Sequence, residues 1–111
     1  MAMRVTITRE EIEGDNLNQR RVVIERRDYD VGIKQTVDLA ANVKTEIPVP
    51  SGFEIQHIYL EPTDVAIQVY HDGSSQYWEV EQAFMAFDIS ITQLELYAAS
   101  ATTAYLWLGG T

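Results

Sequence analysis

A chain of 111 residues has room for one hydrophobic core and not for two. Its 46% apolar content excludes wholesale disorder, and the lack of cysteine excludes disulfide frameworks, thiolate metal sites and cysteine nucleophiles. A net charge of −9 makes nucleic acid a poor partner, because an acidic surface repels phosphate.

Period-two alternation recurs along the chain, and no segment longer than about ten residues carries a helical stripe. The opening Met1-Ala2-Met3-Arg4-Val5 lacks the apolar centre of a signal peptide, so synthesis in the cytoplasm is expected. No run approaches the roughly 18 apolar residues of a membrane span. Val5 and Ile7 alternate with Arg4, Thr6 and Thr8 in a first strand. Residues 9–19 are polar, and although Thr8-Arg9-Glu10-Glu11 has the capping-box spacing of one helical turn, only Ile12 and Leu17 could anchor it, so a mobile loop is the expectation there. Val22 and Ile24 then alternate with Arg21 and Glu25, and Ile33, Val37 and Leu39 with Lys34, Thr36 and Asp38. Val43, Thr45, Ile47 and Val49 sit opposite Lys44, Glu46 and Pro48. Pro48 and Pro50 cannot donate ladder hydrogen bonds, which assigns this segment to a sheet edge.

Strands over residues 54–61 and 65–71 follow, joined by a turn at Pro62-Thr63-Asp64. Asp72-Gly73-Ser74-Ser75 is the strongest turn signal and leads into a strand over residues 76–81. Met85, Phe87, Ile89 and Ile91 lie on one face of a long strand, with Phe84 and Ala86 on the other. Strands over residues 94–98 and 104–108 close the chain. About ten short strands in so few residues predict an all-β fold, a single antiparallel β-sandwich. A jelly roll is the first choice of winding and an immunoglobulin-like sandwich the second.

The charge is unevenly spread. All eight cations (Arg4, Arg9, Arg20, Arg21, Arg26, Arg27, Lys34 and Lys44) lie in residues 1–44 beside eight acids. Residues 45–111 of the same domain carry nine acids and neither Lys nor Arg. The plain reading is a solvated surface that maintains solubility. The sharper one is a mixed-charge end that docks, through Arg4, Arg9, Arg20, Arg21, Arg26 and Arg27, and an acidic end that faces solvent.

Chemistry-bearing constellations are thin. His57 and His71 stand fourteen residues apart without a His-x-His motif, and a metal site would have to add Glu61 or Asp72. Ser74 and Ser75 read as turn residues, and Glu79 and Glu81 as an ordinary pair on a strand face. Asp28-Tyr29-Asp30-Val31-Gly32 is short of calcium ligands and reads as a turn. No catalytic residue, metal or cofactor is expected. The aromatic residues Tyr59, Tyr70, Tyr77, Trp78, Tyr97, Tyr105 and Trp107 exceed what one face of a thin core needs, although Trp78 and Trp107 taken singly are expected inside it. The last strand sets Tyr105 and Trp107 against Ala104, Leu106 and Leu108, and Phe84 lies opposite Met85 and Phe87. Phe84, Tyr105 and Trp107 are therefore expected at an oligomer interface.

The stretch Ile47-Pro48-Val49-Pro50-Ser51-Gly52-Phe53-Glu54-Ile55, with Leu94-Glu95-Leu96-Tyr97 and the run from Ala98 through Gly110, resembles small structural proteins of tailed bacteriophage virions. Within that group the chain looks most like a capsid decoration (cement) protein. The resemblance covers about half the chain, rests on composition and rhythm, and transfers no functional residue. It implies a non-enzymatic virion protein, a homotrimer that binds the major capsid protein or another shell protein, with no nucleic-acid or membrane partner. A carbohydrate-binding or adhesion module of a tail or fibre is the second reading, and a small cupin-like metalloenzyme the third.

Overall fold

Residues that alternate between water and an apolar layer favour extended backbone, and the described residues form ten strands. The computed structural model describes the backbone of residues 3–13 and 18–111 and the side chains of residues 3–8 and 25–111. β1 (Met3–Glu13) and β2 (Asn18–Tyr29) form an antiparallel hairpin. The remaining strands are β3 (Val31–Leu39), β4 (Thr45–Glu46), β5 (Ile55–Pro62), β6 (Ile67–His71), β7 (Tyr77–Val80), β8 (Phe84–Ala86), β9 (Leu94–Ala98) and β10 (Thr102–Gly110). They build two four-stranded sheets, ordered β3-β10-β5-β8 and β4-β9-β6-β7. From β3 onward every connection except β6–β7 passes from one sheet to the other, which is jelly-roll winding.

Between the sheets lie Ile55, Ile58, Leu60, Ile67, Val69, Leu94, Leu96, Leu106 and Leu108, all fully buried. At about 1.5–3 kcal/mol for each such side chain, this layer dominates the stability of the fold. β5 breaks strict alternation, because Ile55, Ile58 and Leu60 all face inward. A bulge opposite Gly109 and Gly110 absorbs the extra residue. His57, Tyr59 and Glu61 consequently share the outer face. The β6–β7 turn follows from Asp72-Gly73: both residues have positive φ, 50° and 71°, and Ser74 N donates to His71 O at 2.9 Å.

Three local expectations change. Neither a loop nor a helical turn forms at Thr8–Glu13, because β1 continues to Glu13 and β2 begins at Asn18. The register places Glu10 across from Arg21 and Glu11 across from Arg20. A full ladder of cross-strand pairs outweighs one isolated helical turn, whose nucleation is costly. The strand expected through Ile91 ends at Ala86: Asp88 has φ 55°, and Ile91 rejoins the sheet only as a bridge to Ile55. The strand expected over residues 43–49 shrinks to Thr45–Glu46, flanked by Asn42 at φ 59° and by Pro48 and Pro50. It does stand at an edge of its sheet.

The hairpin crosses the outer face of the β3-β10-β5-β8 sheet. Met3 lies over Gly32 of β3, Tyr29 over Gly109 of β10 and His57 of β5, and Arg27 reaches Phe87 and Asp88 beyond β8. An 11-residue strand is about 36 Å long and a four-stranded sheet about 19 Å wide, so the hairpin overhangs the sheet. The radius of gyration, 16.0 Å, exceeds the roughly 13 Å of a compact chain of this length accordingly.

Candidate functional site

Cross-strand register builds the outer face of the β3-β10-β5-β8 sheet in rows. One row aligns Lys34, Trp107, Tyr59 and Met85. The next aligns Thr36, Tyr105 and Glu61, and on the other side lie Gly32, Gly109 and His57. Tyr105 is 47% exposed, Trp107 39% and Met85 41%. Lys34 Nζ stands 4.8 Å from the centroid of the Trp107 ring, and the Tyr59 hydroxyl donates to Glu61 at 2.8 Å.

The glycine row is where the hairpin docks. A Cβ on Gly109 would lie 2.6 Å from the Tyr29 ring, and one on Gly32 would lie 2.5 Å from the Met3 Cβ, so the hairpin rests on bare backbone. His57, 1% exposed, is sandwiched between Tyr29 at 5.5 Å and Phe87 at 4.7 Å between ring centroids. Its Nδ1 lies 2.9 Å from Ala86 O, which makes Nδ1 the protonated nitrogen of a neutral ring. Burial pushes its pKa down, and the hydrogen bond to Ala86 only partly offsets this. Between hairpin and sheet runs a groove of about 250 Å³, lined by Met3, Val5, Tyr59, Met85 and Trp107, with Arg4, Thr6 and His57 at its margins.

The arginines gather on one element. All six arginines of the chain belong to β1 and β2. Arg4 Nε donates to Asp28 at 2.7 Å, and that hydrogen bond holds the Asp28 carboxyl below the usual carboxylate range. Arg27 pairs with Glu25, and with Asp88 at 3.3 Å while its guanidinium covers the Phe87 ring. Arg4 and Arg27 therefore work within the molecule, where exposed pairs contribute little. Arg26 is exposed opposite Thr6. The side chains of Arg9, Arg20 and Arg21 lie outside the described residues.

Of the expected interface residues, Tyr105 and Trp107 share the outer face. Trp107 is thus on the surface and not in the core, because its register partners Lys34 and Tyr59 face outward. Phe84 does not join them. Opposite Leu60, it points between the sheets and stacks on Trp78 at 5.1 Å, and Met85 takes the outer position. The parity of the strand decides this, since Met85 pairs with outward-facing Tyr59. His57 and His71 lie on different sheets, and among the described residues no three His, Asp or Glu side chains are arranged to hold a metal. Asp72 instead braces a turn, accepting from Thr92 N at 2.8 Å, Gln93 N at 3.0 Å and Thr92 Oγ1 at 3.0 Å. The docking histidine escaped sequence reasoning. Its one signal was a polar residue placed between Ile55 and Ile58.

No protein-family model matches the chain, and no curated protein matches it. Among solved structures, the cupin domain of Schizosaccharomyces pombe Cnp3 is similar in shape. The likeness covers 96% of this chain and 88% of that one, at 9% sequence identity and a TM-score of 0.48.

Proposed function

We propose that this protein is a non-enzymatic structural module that attaches to a large protein shell, acting as a decoration protein on the outer surface of a tailed-phage head. The observation that carries the reading is the division of labour within the chain. The space between the sheets is filled by apolar side chains, mostly aliphatic with Phe53, Trp78 and Phe84 among them, and all six arginines stand on a hairpin that crosses the sandwich and overhangs it. Arginine suits such a role because its planar fork pairs with carboxylates and backbone carbonyls of a partner. Beside the hairpin, Trp107, Tyr105 and Met85 offer apolar area, and the acidic remainder keeps the other surfaces soluble. Many copies attached in this way bury surface across neighbouring shell subunits and resist internal pressure through multivalency.

The test is cosedimentation with undecorated phage heads across a salt series. Wild type is expected to pellet with the heads, and the Arg20→Ala/Arg21→Ala variant to bind more weakly, with a shallower salt dependence. Failure of the folded wild type to pellet, or equal salt-independent binding by both proteins, overturns the proposal. A second reading rests on Tyr105 and Trp107, which are exposed beside Glu61 in the manner of a sugar platform. Quenching of tryptophan fluorescence by a glycan, abolished by Trp107→Ala, would favour that reading.

A further inference from the structure

We infer that the chain pairs with a second copy of itself through the outer edge of β3, two antiparallel β3 strands meeting on a two-fold axis at Thr36. Of the four edges of the sandwich, three are blunted: β4 has two residues and runs into Pro48, β7 has four and β8 three. β3 is nine residues long, has no proline, and among the described residues pairs along its whole length with β10 on one side only. A strand of that length presents an outward row of backbone donors and acceptors about 30 Å long, a template for another strand.

The side chains of β3 select a copy of β3 as that strand. Its outer face carries one cation and one acid, Lys34 and Asp38, placed symmetrically about Thr36. Antiparallel pairing centred on Thr36 sets Lys34 of each copy across from Asp38 of the other, and the two threonines across from one another. Opposite charges and paired threonines in these positions are the favourable cross-strand combinations. The same register places Ile33 opposite Leu39 on the core face, where Val31 and Ile33 are only half-buried in the single chain. Gln35 comes diagonally opposite its own copy. Among the described residues its buried Nε2 has no hydrogen-bond partner, and a diagonal neighbour lies within reach of a long side chain. A two-fold contact of this kind is self-complementary and closes after two copies. The resemblance to decoration proteins implied a trimer. The edge leads to a pair. The inference is independent of shell attachment, since the hairpin overhangs the opposite side of the sheet.

Light scattering after size exclusion, over a dilution series, tests it with wild type, Lys34→Asp, Asp38→Lys and the double exchange. Each single reversal turns two attractive pairs into two repulsive ones, which should raise the dimer dissociation constant about tenfold or more. The double exchange restores opposite charges and should return it close to the wild-type value. A wild type that is monomeric at high micromolar concentration, or trimeric, overturns the inference. So does a dimer indifferent to all three variants, or a double exchange that stays dissociated. Circular dichroism checks that each variant is folded. Should a single variant not fold, hydrogen exchange of the wild type decides: β3 amides must gain protection with concentration, and unchanged protection overturns the inference.

Discussion

The Tyr29 ring stacks on the His57 imidazole with 5.5 Å between centroids and 19° between planes. This contact joins the hairpin to the sandwich and buries the imidazole, and burial favours its neutral form. In the unfolded chain the imidazole titrates near its ordinary value of about 6.5, whereas in the fold burial lowers its pKa. Above pH 6.5 or so both states are neutral and the full stability is present. As pH falls below that point the unfolded chain takes up the proton first, and stability declines until the folded pKa is reached.

Urea unfolding between pH 7.5 and 5 should therefore show falling stability, with a slope of up to about 1.4 kcal/mol per pH unit from this one group. His57→Gln keeps a donor toward Ala86 and removes the titration. Its stability is expected to be flatter over the same range. A variant as pH-sensitive as wild type would assign the effect to other groups.

Gly109 and Gly110 are adjacent, yet alanine at each should act on a different part of the molecule. At Gly110 a Cβ would fall 1.8 Å from Glu54 O, a backbone atom that cannot step aside, so the whole sandwich should lose about 3 kcal/mol or more. At Gly109 the obstacle is the Tyr29 ring, 2.6 Å away, and the hairpin lifts while both sheets stay folded. Thermal unfolding is expected to rank Gly110→Ala as far the less stable. Hydrogen exchange should show loss of protection in β1 and β2 alone for Gly109→Ala.

The tryptophans divide in the same way. Trp78 is stacked between His71 at 4.9 Å and Phe84 at 5.1 Å against the core, and Trp107 lies on the outer face, 39% exposed. Trp78→Ala should cost about 3 kcal/mol, and Trp107→Ala about 1 kcal/mol, measured by urea unfolding. Tryptophan emission should shift accordingly: the protein lacking Trp78 retains only the more exposed indole and emits further to the red.

Asp72 ties the β6–β7 turn to the chain before β9. Burial alone would raise its pKa, but the hydrogen bonds from Thr92 and Gln93 together outweigh it and hold the carboxyl below its ordinary value. Its stabilisation is present above the unfolded carboxylate pKa of about 3.9 and is lost as pH falls through the lower folded value. Asp72→Ala should destabilise by about 1–2 kcal/mol at neutral pH, through lost hydrogen bonds and a positive φ that alanine resists. Asp72→Asn, which tolerates that backbone and keeps an acceptor, is expected to lose less.

Local rules were enough to write down the all-β pattern and most of its strands, the turn at Asp72-Gly73 and the edge at Pro48 and Pro50. Each of these depends on a few neighbouring residues: side-chain alternation, a left-handed φ, a missing donor. The inward set of β10, Ala104, Leu106 and Leu108, was legible for the same reason. Three features were decided by partners distant in sequence. Whether Thr8–Glu13 formed a turn of helix or a strand depended on the register offered by β2. Whether Phe84 or Met85 faced outward depended on which residue of β5 each met. Which arginines of the hairpin are engaged within the molecule was decided by the fold: Asp28 holds Arg4, and Asp88, sixty-one residues away, holds Arg27. A strand's pattern states which residues share a face. It does not state what the face will meet, because that follows from pairing and packing energies summed over the whole chain.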